Sequence, residues 1–120
     1  MKNYADKTDQ QINELVAMAN GLNVQERSII GIGRIPVVVK LFCGVEDLTS
    51  VPDYCNNWAD AGPVMFENKI SLLWDETNGV CKAAVASMFD VNTCRINGVS
   101  HANPLRAAMI VFLMMKDAEK

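Results

Sequence analysis

Residues 103–115 read NPLRAAMIVFLMM and give the clearest helix signal in the sequence. Asn103 is a good N-cap, and Pro104 takes the first helical position, where its missing amide hydrogen costs nothing. The helix is predicted to run from Leu105 to about Ala118. Its apolar side chains point in nearly every direction instead of forming one stripe, so we expect protein to cover this helix on more than one side.

The same helix carries more apolar surface than one small sheet can cover. It contains Met109, Phe112, Leu113, Met114 and Met115, and methionine and aromatic side chains are common in protein–protein interfaces. Two interpretations stay open. The helix is either a central core helix flanked by loops, or a helix that meets another chain along part of its surface. The second interpretation predicts a homo-oligomer, most simply a dimer.

An amino-terminal helix is predicted over residues 9–20. Thr8 and Gln11 form a capping-box pattern, and Asn20-Gly21 is a pair that ends helices. One face is an apolar stripe at helical spacing, made of Ile12, Leu15, Val16, Ala19 and Leu22. Asn13, Glu14 and Ala17 are assigned to the opposite, exposed face.

Residues 28–42 are dominated by isoleucine and valine, which favour extended backbone. Gly31, Gly33 and Pro36 count against a helix here. The pattern therefore predicts either two short strands or one strand with a bulge near Gly33. Residues 43–54 follow as a polar connection, which we expect to be a mobile loop.

A middle helix is predicted from Asn56-Asn57 to about Asn68. Asn57 is the N-cap, and Asp60 suits the positive end of the helix. Pro63 should bend the second turn. The buried side is expected to consist of Trp58, Ala61, Met65 and Phe66.

Residues 70–76 and 80–88 are typical of a β-hairpin, since Thr77-Asn78-Gly79 supplies a strong turn signal. The second arm is rich in alanine, so a helix stays open as an alternative, but the turn favours a strand. Residues 90–102 are irregular. Taken together, the elements predict one α+β domain over residues 1–120, with a small β-sheet packed between helices in an α-β-α sandwich.

Charge and hydropathy narrow the class of protein. The 120 residues include 11 basic and 14 acidic residues, with a formal charge of −3. The basic residues are scattered, which argues against nucleic acid as a partner. No secretory signal is visible, and the longest apolar run, residues 107–115, is far short of the roughly 20 residues that cross a bilayer. We expect a cytoplasmic protein without a membrane partner.

No cofactor or metal site is predicted. The cysteines at positions 43, 55, 81 and 94 form no close pair of the kind that builds a zinc site. Residues 31–34 (GIGR) are only a weak match to a phosphate-binding turn, because isoleucine and valine follow them.

The sequence favours a protein that is not an enzyme, with no catalytic residues. The alternative is a small cysteine-dependent hydrolase, in which Cys55 at a helix start is the nucleophile and His101, the one histidine, is its base.

Three segments resemble the NinX-like family of lambdoid bacteriophages and prophages. They are residues 55–63 (CNNWADAGP), 67–72 (ENKISL) and the carboxy-terminal 103–115. The resemblance extends over about two-thirds of the chain and is weakest over residues 24–53. It implies a helix–sheet–helix sandwich and a small phage-encoded accessory protein in the cytoplasm of the bacterial host. We expect such a protein to act through contact with itself or with a host or phage protein.

The resemblance also marks the residues most worth following. These family-signature or interaction positions are Asn56, Asn57, Trp58, Asp60, Asn103, Arg106, Met109 and Met114. Asn56 stands out because Asn57 already serves as the cap, which leaves Asn56 without an obvious structural role. We therefore hypothesise a binding role for it.

Overall fold

A computed structural model describes residues 4–119. The helices are α1 (Asp9–Ala19), α2 (Trp58–Asn68) and α3 (Pro104–Ala118). The strands are β1 (Val24–Ile29), β2 (Gly33–Phe42), β3 (Val45–Ser50), β4 (Ser71–Asp75), β5 (Val80–Ala84), β6 (Phe89–Asp90), β7 (Arg95–Ile96) and β8 (Val99–His101). All strand pairings are antiparallel. The predicted α+β class, with its amino-terminal, middle and carboxy-terminal helices, is confirmed.

Helix α3 occupies the centre of the body. Asn103 caps it as predicted, and every residue from Leu105 to Leu113 is buried. Helices α1 and α2 contact it, as does the β4-β5-β8 sheet. The middle layer is thus this helix and not a sheet, because its side chains are apolar in every direction and need cover all round. The burial of Leu105 to Leu113 agrees with the interpretation of α3 as a central core helix, and the contact with another chain stays a prediction.

Helix α1 begins as predicted, with both hydrogen bonds of the capping box between Thr8 and Gln11 present. The prediction was wrong about two residues of its outer face. Asn13 and Ala17 are both buried. Ala17 has little side chain to keep the helix away from the core, and Asn13 turns inward because its amide has polar partners there.

Strands β1, β2 and β3 form a separate sheet, which we call the arm. The prediction of a mobile loop over residues 43–54 is wrong, because β3 lies there and pairs with β2 from Val37–Ser50 to Phe42–Val45. Cys43 and Gly44 form the connecting turn, both with positive φ (51° and 81°). A two-residue turn with positive φ at both positions matches the right-handed twist of the paired strands. It therefore favours a hairpin here, although the strand that follows is rich in polar residues.

The arm is curled, and the middle of β2 is buried. Three consecutive residues of β2, from Val37 to Val39, are buried, although neighbouring strand residues face opposite sides of a sheet. Arg27 of β1 reaches Glu46 of β3 with two hydrogen bonds of 2.9 Å, although β2 lies between these strands. The curling covers both faces of β2 at its midpoint. The molecule is elongated, measuring 55 × 28 × 26 Å.

Helix α2 has the predicted cap and length, but its buried side differs from the prediction. Asn57 accepts a hydrogen bond from the Ala59 amide at 2.8 Å. Ala61 and Val64 face the core, whereas Trp58 and Phe66 are 55% and 82% exposed. Pro63 is accommodated inside the helix, and the preceding residue is glycine, which has no Cβ to clash with the proline ring.

The predicted β-hairpin is confirmed as β4 and β5. The alternative left open for residues 80–88 resolves into a strand over Val80–Ala84 and a 3₁₀ turn over Ala86–Met88. Strand β8 adds a third strand to this sheet. It lies within residues 90–102, for which the sequence predicts irregular structure. Gly98 precedes it and passes so close to the Ala83 carbonyl that no Cβ fits there.

Candidate functional site

A polar junction joins α1, the loop before α2 and the start of α3. Its centre is the buried Asn13, whose Nδ2 donates to Asp53 Oδ1 at 2.9 Å and whose Oδ1 accepts from the Cys55 amide at 3.0 Å. The sequence analysis missed this residue. The available signal was its helical spacing, because Asn13 shares a face with Val16 and Ala17, three and four residues later.

Asn56 belongs to the same junction. Its Nδ2 donates to Asp53 Oδ1 at 3.2 Å and to Asp9 Oδ2 at 3.4 Å, and its Oδ1 accepts from Asn103 Nδ2 at 3.4 Å. Asn56 therefore has the structural role that the sequence did not reveal. The argument that gave it a binding role, based on the lack of such a duty, no longer holds.

Two further signature residues, Asn103 and Arg106, connect α3 to the junction. Asn103 Oδ1 accepts from the amides of Leu105 and Arg106, while its Nδ2 donates to the Cys55 carbonyl at 2.7 Å. The Arg106 guanidinium is buried and donates to Asp9 Oδ1 at 2.6 Å, and to the carbonyls of Ala5 and Lys7. These contacts fix the segment before α1 against α3.

The remaining signature residues lie apart from one another. Asp60 Oδ2 accepts from the Asp53 amide at 3.1 Å, so it orders the loop before α2. Trp58 is exposed beside this loop. Met109 is fully buried and Met114 is half-buried against the core. The part of α3 that was predicted to meet another chain is therefore covered largely by its own chain.

A cavity of about 420 Å³ lies between the junction and the arm. Its polar wall includes Asp9, Asn13, Asp53 and Asn56, and the arm contributes Ile35 and Pro36. The polar side chains are already hydrogen-bonded to one another, and in residues 4–119 no buried side-chain nitrogen or oxygen lacks a partner. This arrangement orders three segments of the chain, and it leaves no buried polar group aimed at a ligand.

The thiol-hydrolase hypothesis required Cys55 and His101 to face each other. Cys55 is fully buried, and its Sγ lies 3.8 Å from the Asp9 carbonyl oxygen. Burial raises the pKa of this thiol to about 12, with the Asp9 carboxylate adding to the effect. His101 is exposed, and its Nδ1 accepts from the Asn103 amide at 2.8 Å. In the sheet it lies opposite Cys81, not Cys55, so the proposed pair does not form.

Two arrangements are absent from residues 4–119, a cluster of metal ligands and a membrane-spanning helix. Within that range, histidine, cysteine, aspartate and glutamate side chains form no group of three or more that could hold a metal ion. The described helices include none that is long and apolar enough to span a bilayer.

Three exposed apolar side chains lie at the end of the β2–β3 hairpin. We call this surface the tip, and it consists of Leu41, Phe42 and Val45, which are 75%, 76% and 68% exposed. Phe42 and Val45 lie opposite each other in the sheet, and Leu41 and Glu46 form the next pair. Large apolar side chains grouped at a protruding turn are typical of interaction sites.

An open surface of mixed polarity, the cleft, lies between the β4–β5 hairpin and residues 94–97. Its volume is about 510 Å³, and its walls include Leu73, Trp74, Ile96, Lys82 and Arg95. Trp74 is 64% exposed. Aromatic and arginine side chains are the residue types most enriched at binding hot spots.

The structure defines a small α+β protein with a central helix and a β arm that exposes apolar side chains at its end. The model of the family described as Bacteriophage P22, NinX matches residues 3–116. The chain therefore belongs to this bacteriophage NinX family, and the resemblance noted in the sequence is confirmed. No curated protein and no solved structure matches it significantly.

Proposed function

We propose that this phage protein is a non-enzymatic accessory factor that acts in the host cytoplasm through protein–protein contact, with the tip of the arm as the contact surface. The observation that carries the proposal is the exposure of Leu41, Phe42 and Val45 together at the end of one hairpin. Leaving such side chains in water is unfavourable, and burying them against a partner recovers that free energy.

The arrangement of the arm supports the same conclusion. The three arm strands are paired with one another, and α1 is the main contact of the arm with the helices. The tip residues contribute little to the buried core. Their apolar character therefore has no explanation in the packing of the chain itself.

The proposal can be tested by photo-crosslinking in infected bacteria. A photoreactive amino acid replaces Phe42 in one variant and the exposed Glu67 of α2 in a matched control. We expect a specific crosslinked protein, either a second copy or another phage or host protein, from position 42 but not from position 67. Equal or absent crosslinking at the two positions would contradict the proposal.

A further inference from the structure

Strand β3 leaves one edge of the arm open. It pairs with β2 on one side and with none of the described strands on the other. All of its residues, Val45–Ser50, are exposed. Outside the ladder with β2, no backbone–backbone hydrogen bond between the described residues 4–119 reaches this strand. A row of unpaired amides and carbonyls is the feature by which a sheet accepts a further strand.

The turn determines which backbone groups of β3 point outward. In a hairpin with a two-residue turn, the residues that flank the turn, here Phe42 and Val45, exchange hydrogen bonds in both directions. Hydrogen-bonded and non-hydrogen-bonded pairs then alternate along the two strands. Three residues of β3 therefore direct their amides and carbonyls away from β2, namely Glu46, Leu48 and Ser50.

A contact between β2 and the start of β1 supports this assignment. Val39 of β2 lies opposite Leu48 of β3, and the Val39 amide donates to the Asn23 carbonyl at 2.8 Å, on the β1 side of the sheet. Since Val39 directs its amide away from β3, Val39 and Leu48 are a non-hydrogen-bonded pair. The backbone groups of Leu48 consequently face the open edge.

We infer that β3 accepts an extended segment of another protein, which adds to the arm as a fourth strand beside the tip. This inference rests on the proposed function and names the form that the partner takes at the same surface. Hydrogen bonds to the outward backbone groups of β3 hold the segment, whatever its sequence. An apolar side chain of the segment covers Val45, which is 68% exposed.

A second copy of β3 is a poorer occupant of this edge. Two β3 strands that join through their outward backbone groups pair antiparallel about Leu48, which places both Asp47 side chains on one face as diagonal neighbours. Arg27 pairs with Glu46, but Asp47 forms no ion pair with a residue of the range 4–119. Charged residues on an edge strand are a common protection against pairing between identical edges.

Proline at position 48 tests the role of the outward backbone. Leu48→Pro removes an amide hydrogen that points away from β2, which an edge strand tolerates, and Leu48→Ala is the matched control that keeps this hydrogen. Photo-crosslinking from position 42 is compared for both variants in infected bacteria, and thermal melting of the purified chains checks their folding. We expect a crosslinking yield at least about fivefold lower with Leu48→Pro, because one hydrogen bond is lost and the ring blocks the approaching strand.

The spacing of crosslinked sites in the partner gives a second measurement, which needs no proline variant. A photoreactive amino acid replaces Val45 in one chain and Thr49 in another, two positions on the same face of β3. If the partner segment is a strand, its two crosslinked sites should also lie about four residues apart, since both strands rise about 3.4 Å per residue. A helix along this edge would separate them by about nine residues, because it rises about 1.5 Å per residue.

Equal yields from folded Leu48→Pro and Leu48→Ala, or a helical spacing in the partner, would overturn the inference and leave the tip as the contact surface. A product that consists of two copies of this chain would also overturn it. Absence of any crosslink from position 42 with Leu48 in place would contradict the proposed function, and the inference with it.

Discussion

Arg106 shows how one side chain can hold together parts of the chain that are far apart in sequence. Its guanidinium donates to Asp9 and to two carbonyls of the preceding segment, from a position on the central helix where most neighbours are apolar. A planar group with several donors suits this task, whereas a lysine would present a single charged group. A basic residue within an apolar helix was recognisable in the sequence, but its partners were not.

We expect Arg106→Met to lower the free energy of unfolding by about 2–3 kcal/mol. This loss of unfolding free energy is smaller than the one expected for a fully buried ion pair. The Asp9 side chain is 42% exposed, so water hydrates its carboxylate once the arginine is replaced. Urea denaturation measures the change. Arg27→Met, which removes an exposed ion pair of the arm, serves as the control and should have little effect. A similar loss in both variants would contradict this account.

The four cysteines should differ sharply in their reaction with iodoacetamide. Cys43 and Cys94 are exposed, while Cys55 and Cys81 are buried with raised pKa values, because burial disfavours the thiolate. At pH 8 the native protein should take up label rapidly at two positions, and the unfolded protein at all four. Mass spectrometry counts the labels. Rapid labelling of Cys55 in the native state would revive the thiol-enzyme hypothesis.

At the scale of the elements, Asn103 has two separate tasks. It caps α3, and it also bridges this helix to the Cys55 carbonyl before α2. We expect Asn103→Ala to cost about 2–3 kcal/mol of unfolding free energy, since the cap and the bridge are both lost. Asn103→Asp keeps the cap acceptor and loses only the bridging donor, so its cost should be smaller.

Thr8→Ala is a suitable comparison for Asn103, because it removes a cap from α1 without removing a bridge. Its expected cost is about 1 kcal/mol, measured by chemical denaturation. If Asn103→Ala costs no more than Thr8→Ala, the bridge to Cys55 contributes nothing.

The third strand of the β4-β5-β8 sheet depends on Gly98. A Cβ at this position would collide with the Ala83 carbonyl and crowd the Ala84 side chain. We therefore expect Gly98→Ala to destabilise the protein by about 2 kcal/mol or more, as overpacking against backbone does. Ser100→Ala, at an exposed site of β8, should stay within about 0.5 kcal/mol in the same thermal or urea titration. A neutral Gly98→Ala would show that β8 is not held this closely.

Local signals allowed much of the element structure to be predicted. Caps at Thr8, Asn57 and Asn103 act within three residues of their helices, and the Asn-Gly turn determines the β4–β5 hairpin. Contacts between distant segments were not predictable. Helical spacing alone could have indicated the burial of Asn13, but its hydrogen-bonding partners, Asp53 and Cys55, lie some 40 residues later and could not be identified from nearby sequence.

Across the whole molecule, the arm and the body differ in how far their residues are shielded from solvent. All residues of β3 are exposed, while α3 is enclosed by helices and sheet. We expect the β3 amides to exchange with deuterium faster than those of residues 105–113, because local opening of the arm leaves the body intact. Hydrogen–deuterium exchange with mass spectrometry measures both. Equal protection of the two regions would show that the arm opens only when the whole protein unfolds.

The candidate surfaces were less predictable than the fold, for a physical reason. Leu41, Phe42 and Val45 are exposed on either side of a tight turn, whereas the sequence pattern assigned Leu41 and Phe42 to a strand and Val45 to a polar connection. Conversely, Met109 belongs to a residue type that is common at interfaces, and yet it is fully buried within the chain. Composition identifies side chains that prefer to avoid water, and only the tertiary arrangement determines which of them find cover within the chain.

The burial of β2 at its midpoint has an evolutionary consequence. Val37, Val38 and Val39 are buried, whereas Leu41, Phe42 and Val45 stay mostly exposed, so the side chains of the tip carry little of the folding free energy. Substitutions of these three side chains should be nearly neutral for stability, in contrast to Gly44 of the same turn, whose φ of 81° suits glycine. Under the proposed function, related phages are free to diversify the three tip side chains as they meet new binding targets, while selection on the rest of the chain preserves its architecture.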